Sequence, residues 1–421
     1  MLQRSLTAIS VLLLAATSAA CHERPEETTE NTAPPGDTTA SADCERPLET
    51  RAANAANQAP AFPEQTRACG ITANVAFDVQ VVASGLNHPW AVEPLPNGDL
   101  LVTERAGRLR LISAAGAVGQ PITGLPPVDA GGQGGLLDVA LSPSFDSDRT
   151  VYWSYSEPRQ GANATSVARG VLSADHQSLA QVQVVFRSQP PFSGSSHFGS
   201  RLAFSSDGKL FITLGDRSAT AMRQQAQQLD SHLGKIVRIN PDGSVPNDNP
   251  FAGQSSAMPE IWTLGHRNVQ AAAIDADGRL WIVEHGTQGG DEVNLIDEGK
   301  NYGWPVTAYG EEYSGQPIAG ATTDRPGMEQ PVYYWDPVIA PSGAQFYTGD
   351  AFPAWRGSLF IGSLKDRLLV RLTLEDERVT GEEHLLADRG QRIRDVRQGP
   401  DGFLYVVTDE SNGRIYRISP S

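Results

Sequence analysis

The run Ala276-Asp277-Gly278-Arg279-Leu280-Trp281-Ile282-Val283 joins a turn to a strand. Asp277-Gly278 suits the left-handed backbone of a tight turn, and Leu280 to Val283 is an apolar run too short for a helix. The same pattern recurs at Pro96-Asn97-Gly98-Asp99-Leu100, Ser206-Asp207-Gly208-Lys209-Leu210, Gly357-Ser358-Leu359-Phe360-Ile361 and Pro400-Asp401-Gly402-Phe403-Leu404. Asp148-Arg149-Thr150-Val151-Tyr152-Trp153 fits between the first two copies as a version without glycine. Some copies lead into a second turn and strand, as at Arg105-Ala106-Gly107-Arg108 and Ser411-Asn412-Gly413-Arg414. Such units, spaced unevenly by roughly 45 to 80 residues, predict an all-β fold: a six-bladed β-propeller of four-stranded antiparallel blades. A sandwich rarely repeats one turn–strand signature so often, and a β-helix needs shorter, even spacing. Extra length at about 157–200, 215–260 and 300–350 predicts loops converging over the central channel, with one helical stretch, Thr220 to Leu233.

Composition sets the frame around this domain. Arg4, the apolar run Leu6 to Ala16 and the small residues Ser18-Ala19-Ala20 before Cys21 read as a signal peptide over 1–20. The run is too short to span a bilayer. Small residues before Cys21 match a bacterial lipobox except at Ser18, where Leu is preferred. Two outcomes follow: a periplasmic protein tethered to a membrane through lipidated Cys21, or ordinary cleavage near Ala20 and a free periplasmic or secreted one. Residues 21–60 are poor in large apolar groups and rich in Glu, Thr, Pro and Ala, which predicts a disordered tether before a catalytic propeller over 61–421. Cys44 and Cys69 are expected to pair as a disulfide in an oxidising compartment, the alternative being two free thiols. The net charge of -16 argues against nucleic acid and anionic membrane surfaces as partners. No dinucleotide fingerprint follows a strand, which argues against NAD, and without a Cys or third His at ligand spacing no zinc site is expected.

Chemistry crowds between Trp262 and Pro305. Arg267 and Asn268, Glu284 and Gly286, Asp291 and Glu292, and Tyr302 and Trp304 flank the strand Leu280 to Val283. Oxygen donors beside backbone-exposing glycines suit a hard cation, calcium above all. The plain alternative is a pair of surface turns with salt bridges.

Seven motifs then carry a resemblance: GQGG (132–135), HFGSRL (197–202), GHRN (265–268), GGDEVN (289–294), KNYGWP (300–305), SLKD (363–366) and GQRIRDVRQGPDG (390–402). In this order the chain resembles the soluble aldose sugar dehydrogenases that use pyrroloquinoline quinone (PQQ), relatives of soluble glucose dehydrogenase, over roughly residues 77 to 419. The tether has no counterpart there. The resemblance implies an oxidoreductase that takes hydride from C1 of an aldose to the quinone, yields the lactone, and passes electrons to an acceptor the sequence does not identify. It implies His197 as general base, Asp216 as the carboxylate orienting it, and Arg267 beside the reacting quinone oxygen. Gln133, Asn268, Tyr313, Ser363, Lys365, Arg392 and Arg394 match cofactor contacts. Arginine suits the three PQQ carboxylates, and Arg392-x-Arg394 puts both guanidinium groups on one face of an extended segment. Gly286 and Thr287 match carbonyl ligands of a catalytic calcium, with Thr287 standing where the family usually has Pro. Glu292 and Tyr302 match a structural calcium. His266 and His285 read as structural. Two rival readings use the same propeller: a calcium-dependent lactonase, which leaves Lys365, Arg392 and Arg394 without a purpose, and a non-catalytic binder of carbohydrate or protein.

Overall fold

Each of the six turn–strand copies joins the first two strands of one four-stranded antiparallel sheet, in a computed structural model of the protein that describes residues 48–421. The blades start at Pro89–Pro94, Leu136–Leu141, Leu202–Phe204, Val269–Ile274, Pro341–Phe346 and Ile393–Gln398, and these inner strands pack against one another in a ring. Strands two to four follow outward in sequence order in the first five blades. The sixth blade is different. Its outer strand is Phe77–Leu86, from the other end of the domain, paired antiparallel with Gly413–Pro420 in the register Val79↔Ile418. The ring therefore closes by main-chain hydrogen bonds between the two ends of the propeller.

The strands read as nearly unbroken apolar runs because each sheet is buried on both faces. Along Leu404–Thr408, Leu404 and Val406 enter one interblade core with Leu369 and Trp355, whereas Tyr405 and Val407 enter the next with Val92 and Val102. Successive side chains of a strand point to opposite faces, so one strand serves two cores.

Two expectations differ from the structure. The helix expected over Thr220 to Leu233 is confined to an α-turn, Thr220–Arg223, and a 3₁₀ turn, Gln224–Gln227. Lys235 Nζ donates to the carbonyls of Gln225, Ala226 and Leu233 at 2.7, 3.0 and 2.8 Å, which satisfies the helix end and turns the chain. Within the expected tether, residues 48–60 lie against the propeller, held by polar contacts rather than apolar burial. Asp336 accepts the amides of Asn54 and Ala55 at 2.9 and 3.0 Å, and Arg51 pairs with Asp366 at 2.7 Å. Residues 1–47, with the expected signal segment, Cys21 and Cys44, lie outside the described residues. Cys69 is disulfide-bonded.

An ionic knot fills the axis of the ring. Arg201 pairs with Asp138 of the second blade at 2.9 Å and Asp395 of the sixth at 3.1 Å. It also donates to the carbonyls of Gln270 and Arg394 at 2.7 and 3.2 Å and lies 4.1 Å from the ring centre of Trp90. Arg397 joins Asp395 at 2.9 Å. The fifth blade contributes room: a Cβ on Gly343 would fall 1.8 Å from Asp395 Oδ1 and 2.7 Å from Arg201 Nη2. Removing one partner of a buried ion pair strands the other charge. Arg201→Met is therefore expected to cost about 3–5 kcal/mol of stability in chemical denaturation. A loss under about 1 kcal/mol would show the knot to be ordinary surface pairing.

Candidate active site

The segments entering the inner strands, and those joining second to third strands, gather on one face of the ring. Ser196 to Ser200 precedes Leu202–Phe204, and the backbone there is unusual: φ is 51° at His197 and 94° at Ser200. Non-glycine residues hold such angles only where neighbours over-determine them. Here Gln133 Oε1 accepts the His197 amide at 2.8 Å. Arg217 donates to the carbonyls of Ser196 and Gly194 at 3.0 and 2.7 Å and stacks 4.1 Å from the Phe198 ring centre. The loop is thus clamped on both sides of the histidine.

His197 Nδ1 lies 2.7 Å from Asp216 Oδ1. The same carboxylate accepts the Ser218 amide at 2.7 Å and Trp304 Nε1 at 2.8 Å. With its two oxygens committed, Asp216 fixes the imidazole with a proton on Nδ1 and leaves Nε2 as the basic nitrogen. Burial raises the Asp216 pKa, but the hydrogen bond and charge of His197, the Arg267 charge and the Ser218 amide together hold it below its usual value. His197 is 5% exposed, and its pKa is lowered by burial first and the Arg267 charge second, against the opposing pull of Asp216. The imidazole is consequently neutral at neutral pH.

Beside it, Arg267 receives its amide anchor from Glu284 Oε2 at 2.7 Å, and Glu284 Oε1 lies 2.9 Å from His266 Nδ1. Arg267 Nη1 donates to the His285 carbonyl at 3.1 Å and to the Gly286 carbonyl, and Nη2 donates to Tyr313 Oη at 3.2 Å. Its Nε is buried without a partner among the described residues. Trp304 lies between two guanidinium groups, 5.2 Å from Arg267 and 5.4 Å from Arg223.

A cavity of about 210 Å³ opens on the channel axis above the ionic knot. Gln133, Phe198 and Gly199 form one wall, Trp90 and Gln270 lie toward the knot, and Arg105, Arg392, Arg394 and Asp409 supply charge. Arg392 and Arg394 each reach Asp409 Oδ2 at 3.2 Å. Burial raises the Asp409 pKa, but these two charges and the His88 hydrogen bond hold it well below the usual carboxylate range. The Nε atoms of Arg394 and Arg105 are buried and unpaired among the described residues. Lys365 is exposed next to the lining residue Leu364, with no ion-pair partner among the described residues. Orphaned cationic donors at the wall of a cavity are the donor set for an anion rich in carboxylates. PQQ fits that description.

The structure brings together His197, Asp216, Arg267, Gln133 and Asn268 on one side and Arg392 and Arg394 on the other. His197 and Arg267 stand beside the cavity, next to its lining residues Phe198, Gly199 and His285. Asn268 Oδ1 accepts the Gly199 amide at 3.2 Å, and its Nδ2 lies 3.3 Å from His285 Nδ1. Tyr313, 65% exposed, reaches the site through Arg267 alone among the polar contacts above. Ser363 points away: its hydroxyl donates to the Ile339 carbonyl at 2.8 Å and accepts the Asp366 amide at 3.1 Å. It shapes the turn that presents Leu364 and Lys365.

The two expected cation positions are separate. At the first, the Gly286 carbonyl is taken by the Arg267 guanidinium, a positive charge where a cation ligand was expected, and Thr287 Oγ1 is buried without a partner among the described residues. At the second, Glu292 and Tyr302 line a void of about 20 Å³ with Glu284, Trp304 and Arg267. Glu292 pairs directly across the strands with Glu284. Burial, then the Glu284 charge and Asp291, raise its pKa well above normal, while a hydrogen bond from Asn294 at 3.2 Å opposes. A buried carboxylate facing like charges over a void the size of one ion or water fits a bound cation.

Arg105, Asp409 and the cavity role of His285 are absent from the sequence-based site. A signal for them existed. Arg105, His285, Leu364 and Asp409 are each the residue directly after the second strand of their blade, and all four line the cavity. Aligning the turn–strand copies beyond their apolar runs exposes that shared position.

Comparisons with known proteins agree with this geometry. The family model described as glucose/sorbosone dehydrogenase matches residues 86–417. The aldose sugar dehydrogenase YliI of Escherichia coli is 46% identical over 352 residues, covering 83% of this chain and 94% of the relative. A crystal structure of a glucose dehydrogenase aligns with TM-score 0.80 and 48% identity over 82% of this chain and 100% of its own. The PQQ-bound aldose sugar dehydrogenase of Streptomyces coelicolor aligns with TM-score 0.67 and 30% identity over 82% and 99%. Family match, blade architecture and the order of the site motifs converge: the chain belongs to the glucose/sorbosone dehydrogenase family.

Proposed function

We propose that the protein is a PQQ- and calcium-dependent aldose dehydrogenase that oxidises a sugar at C1 to the lactone. The observation that carries this reading is the His197–Asp216 pair, with His197 next to the lining residue Phe198 of a cavity that Arg105, Arg392 and Arg394 also line. Bound PQQ supplies a quinone that takes the C1 hydrogen as hydride. His197 Nε2 receives the proton of the C1 hydroxyl, so the sugar loses two electrons and two hydrogens and becomes the lactone. Asp216 offsets the positive charge that develops on the imidazole. Arg267 stabilises negative charge beside the dyad, and Arg392, Arg394 and Lys365 hold the cofactor carboxylates. Gly286 and Thr287 carbonyls would hold a Lewis-acidic calcium once Arg267 Nη1 moves aside, and Glu292 with the Tyr302 carbonyl a structural one. The electrons then pass to an acceptor outside the chain. Export to the periplasm, with a lipid on Cys21, completes the reading. Mass spectrometry of the mature protein is expected to find Cys21 as an acylated first residue, and an unmodified N-terminus downstream would remove the anchor.

Turnover requires neutral His197, and its pKa in the fold is lowered, so activity should fall on acidification only below the ordinary histidine value of 6.5. Asp216→Asn removes an interaction that raises this pKa. The acid limb of the kcat profile is expected to move to still lower pH, while the plateau drops at least about tenfold because the base is weaker and less well oriented. His197→Gln is expected to lower kcat by at least about 10² with PQQ still bound, and Arg394→Met to lose PQQ in titrations of the apoprotein. Near-normal turnover by His197→Gln with PQQ bound would place the base elsewhere. A wild-type protein that binds PQQ yet oxidises no aldose would favour the binding-module reading.

Glu292→Gln separates the two cation positions. Without calcium it relieves repulsion with Glu284, so the melting temperature should rise or hold. With calcium the wild type should gain stability by mass action and the variant should not. Equal calcium-induced shifts in both proteins would remove Glu292 from the ligand set.

A further inference from the structure

The N-terminal strap, residues 48–67, runs outside the segment matched by the family model, which begins at residue 86. It bridges the outer strand of the fourth blade in parallel at Thr66↔Tyr334, and the chain directly after it bridges that of the fifth at Gly70↔Glu382. Between these and its start it meets the segment Tyr309 to Tyr313. Gln58 imitates a strand there: its Nε2 donates to the Gly310 carbonyl at 3.1 Å, and its Oε1 accepts the Gly310 amide at 2.7 Å. One residue earlier, Tyr309 Oη lies 3.0 Å from Gln65 Oε1, and the Tyr309 ring stacks on Tyr334 with centroids 3.8 Å apart.

Gly310 has no freedom to move inward. Its φ is 87°, and a Cβ would fall 2.4 Å from the Gly289 carbonyl, so the segment is pressed onto the Gly286–Gly290 loop. Gln288 continues that contact through the Glu311 carbonyl at 2.9 Å and the Glu312 carbonyl at 3.1 Å. The layers run from strap to rim segment to the loop whose carbonyls meet Arg267. Beyond Gly310 the rim carries Glu312, ion-paired with Arg223, and Tyr313, whose hydroxyl accepts from Arg267. The strap itself is fixed on both sides of Gln58: Asp336 holds the Asn54 and Ala55 amides, and Gln65 donates to the Pro331 carbonyl at 2.9 Å.

We propose that the strap is a positioning element of the active site, in which Gln58 sets the rim segment Gly310–Tyr313, and the Gly286–Gly290 loop beneath it, against Arg267. The idea rests on the aldose dehydrogenase reading above. Gln58 touches neither cavity nor dyad. Its loss should loosen the contacts that hold the Arg267 guanidinium and so reach the chemical step.

The test compares Gln58→Met, which keeps length but removes both hydrogen bonds, with Gln58→Glu, which keeps the acceptor for the Gly310 amide. Holoenzyme reconstituted with PQQ and calcium is assayed on an aldose panel, and amide hydrogen exchange is followed at Gly310–Tyr313. Gln58→Met should lower kcat by a factor of about 3 to 10, the worth of one or two net hydrogen bonds, at little-changed KM. Exchange at Gly310–Tyr313 should quicken while the melting temperature holds, and Gln58→Glu should recover part of both effects. Faster exchange with unchanged kcat across the panel would overturn the proposal and leave the strap a packing element. Unchanged exchange would overturn it equally. A wild type that oxidises no aldose would instead count against the dehydrogenase reading, while the exchange result would still report on the clamp.

Discussion

The site depends on the Arg201 knot at the ring axis. One guanidinium ties Asp138 of the second blade to Asp395 of the sixth and takes carbonyls from the fourth and sixth. Trp90 of the first blade packs on it, and Gly343 of the fifth makes room for it. Buried ion pairs seldom out-stabilise a well-packed apolar replacement, and their best-supported use is to specify an arrangement. Here the arrangement is the height of the inner strands. Glu93, Asp138 and Asp395 outnumber Arg201 and Arg397 by one charge. Burial pushes the Glu93 carboxyl up to about 7, partly offset by Arg397, so protonation there relieves the excess. The upper side of the knot is the floor of the cavity: Trp90, Gln270 and Arg394 belong to both.

On that floor the loops are fixed by polar groups used more than once. Asp216 takes His197, the Ser218 amide and Trp304, and Glu284 takes His266 and the Arg267 amide. Asp216 joins the entry segment of the third blade to the turn that carries Trp304, and Glu284 ties the entry segment of the fourth blade to its own second strand. A buried network whose carboxylates are satisfied specifies its geometry tightly because every unmade bond there is costly. That rigidity lets His197 persist at a φ of 51°.

The blade count was legible because the turn–strand copy is local: an Asp or Asn before Gly, then a short apolar run, needs no long-range information. Ring closure was not, since nothing local in Phe77–Leu86 says that it pairs with Gly413–Pro420. The dyad and Arg267 were legible through their motifs. Arg105 and Asp409 were missed because each sits in a short charged pair at a strand end, Glu104-Arg105 and Asp409-Glu410, and such a pair normally reads as surface. For Ser363 the motif shows the residue and not the direction of its hydroxyl, which turns to the Ile339 carbonyl. Residues 48–60 read as a tether because they offer little apolar surface. They are held instead by backbone amides on Asp336 and by Gln58 against a peptide group, contacts that composition does not register.

Base strength and anion recognition in this site draw on the same charges. Arg267 and, more weakly, Arg217 lower the His197 pKa, and Asp216 opposes them. The wall beyond is cationic again, with Arg105, Arg392 and Arg394 against Asp409 alone. A positive surrounding makes an imidazolium costly, so His197 rests in the basic form. The same cationic wall is the donor set for an anion. Asp216 holds Nδ1 at 2.7 Å and opposes those cationic charges, so one carboxylate sets the orientation and the basicity of the imidazole together.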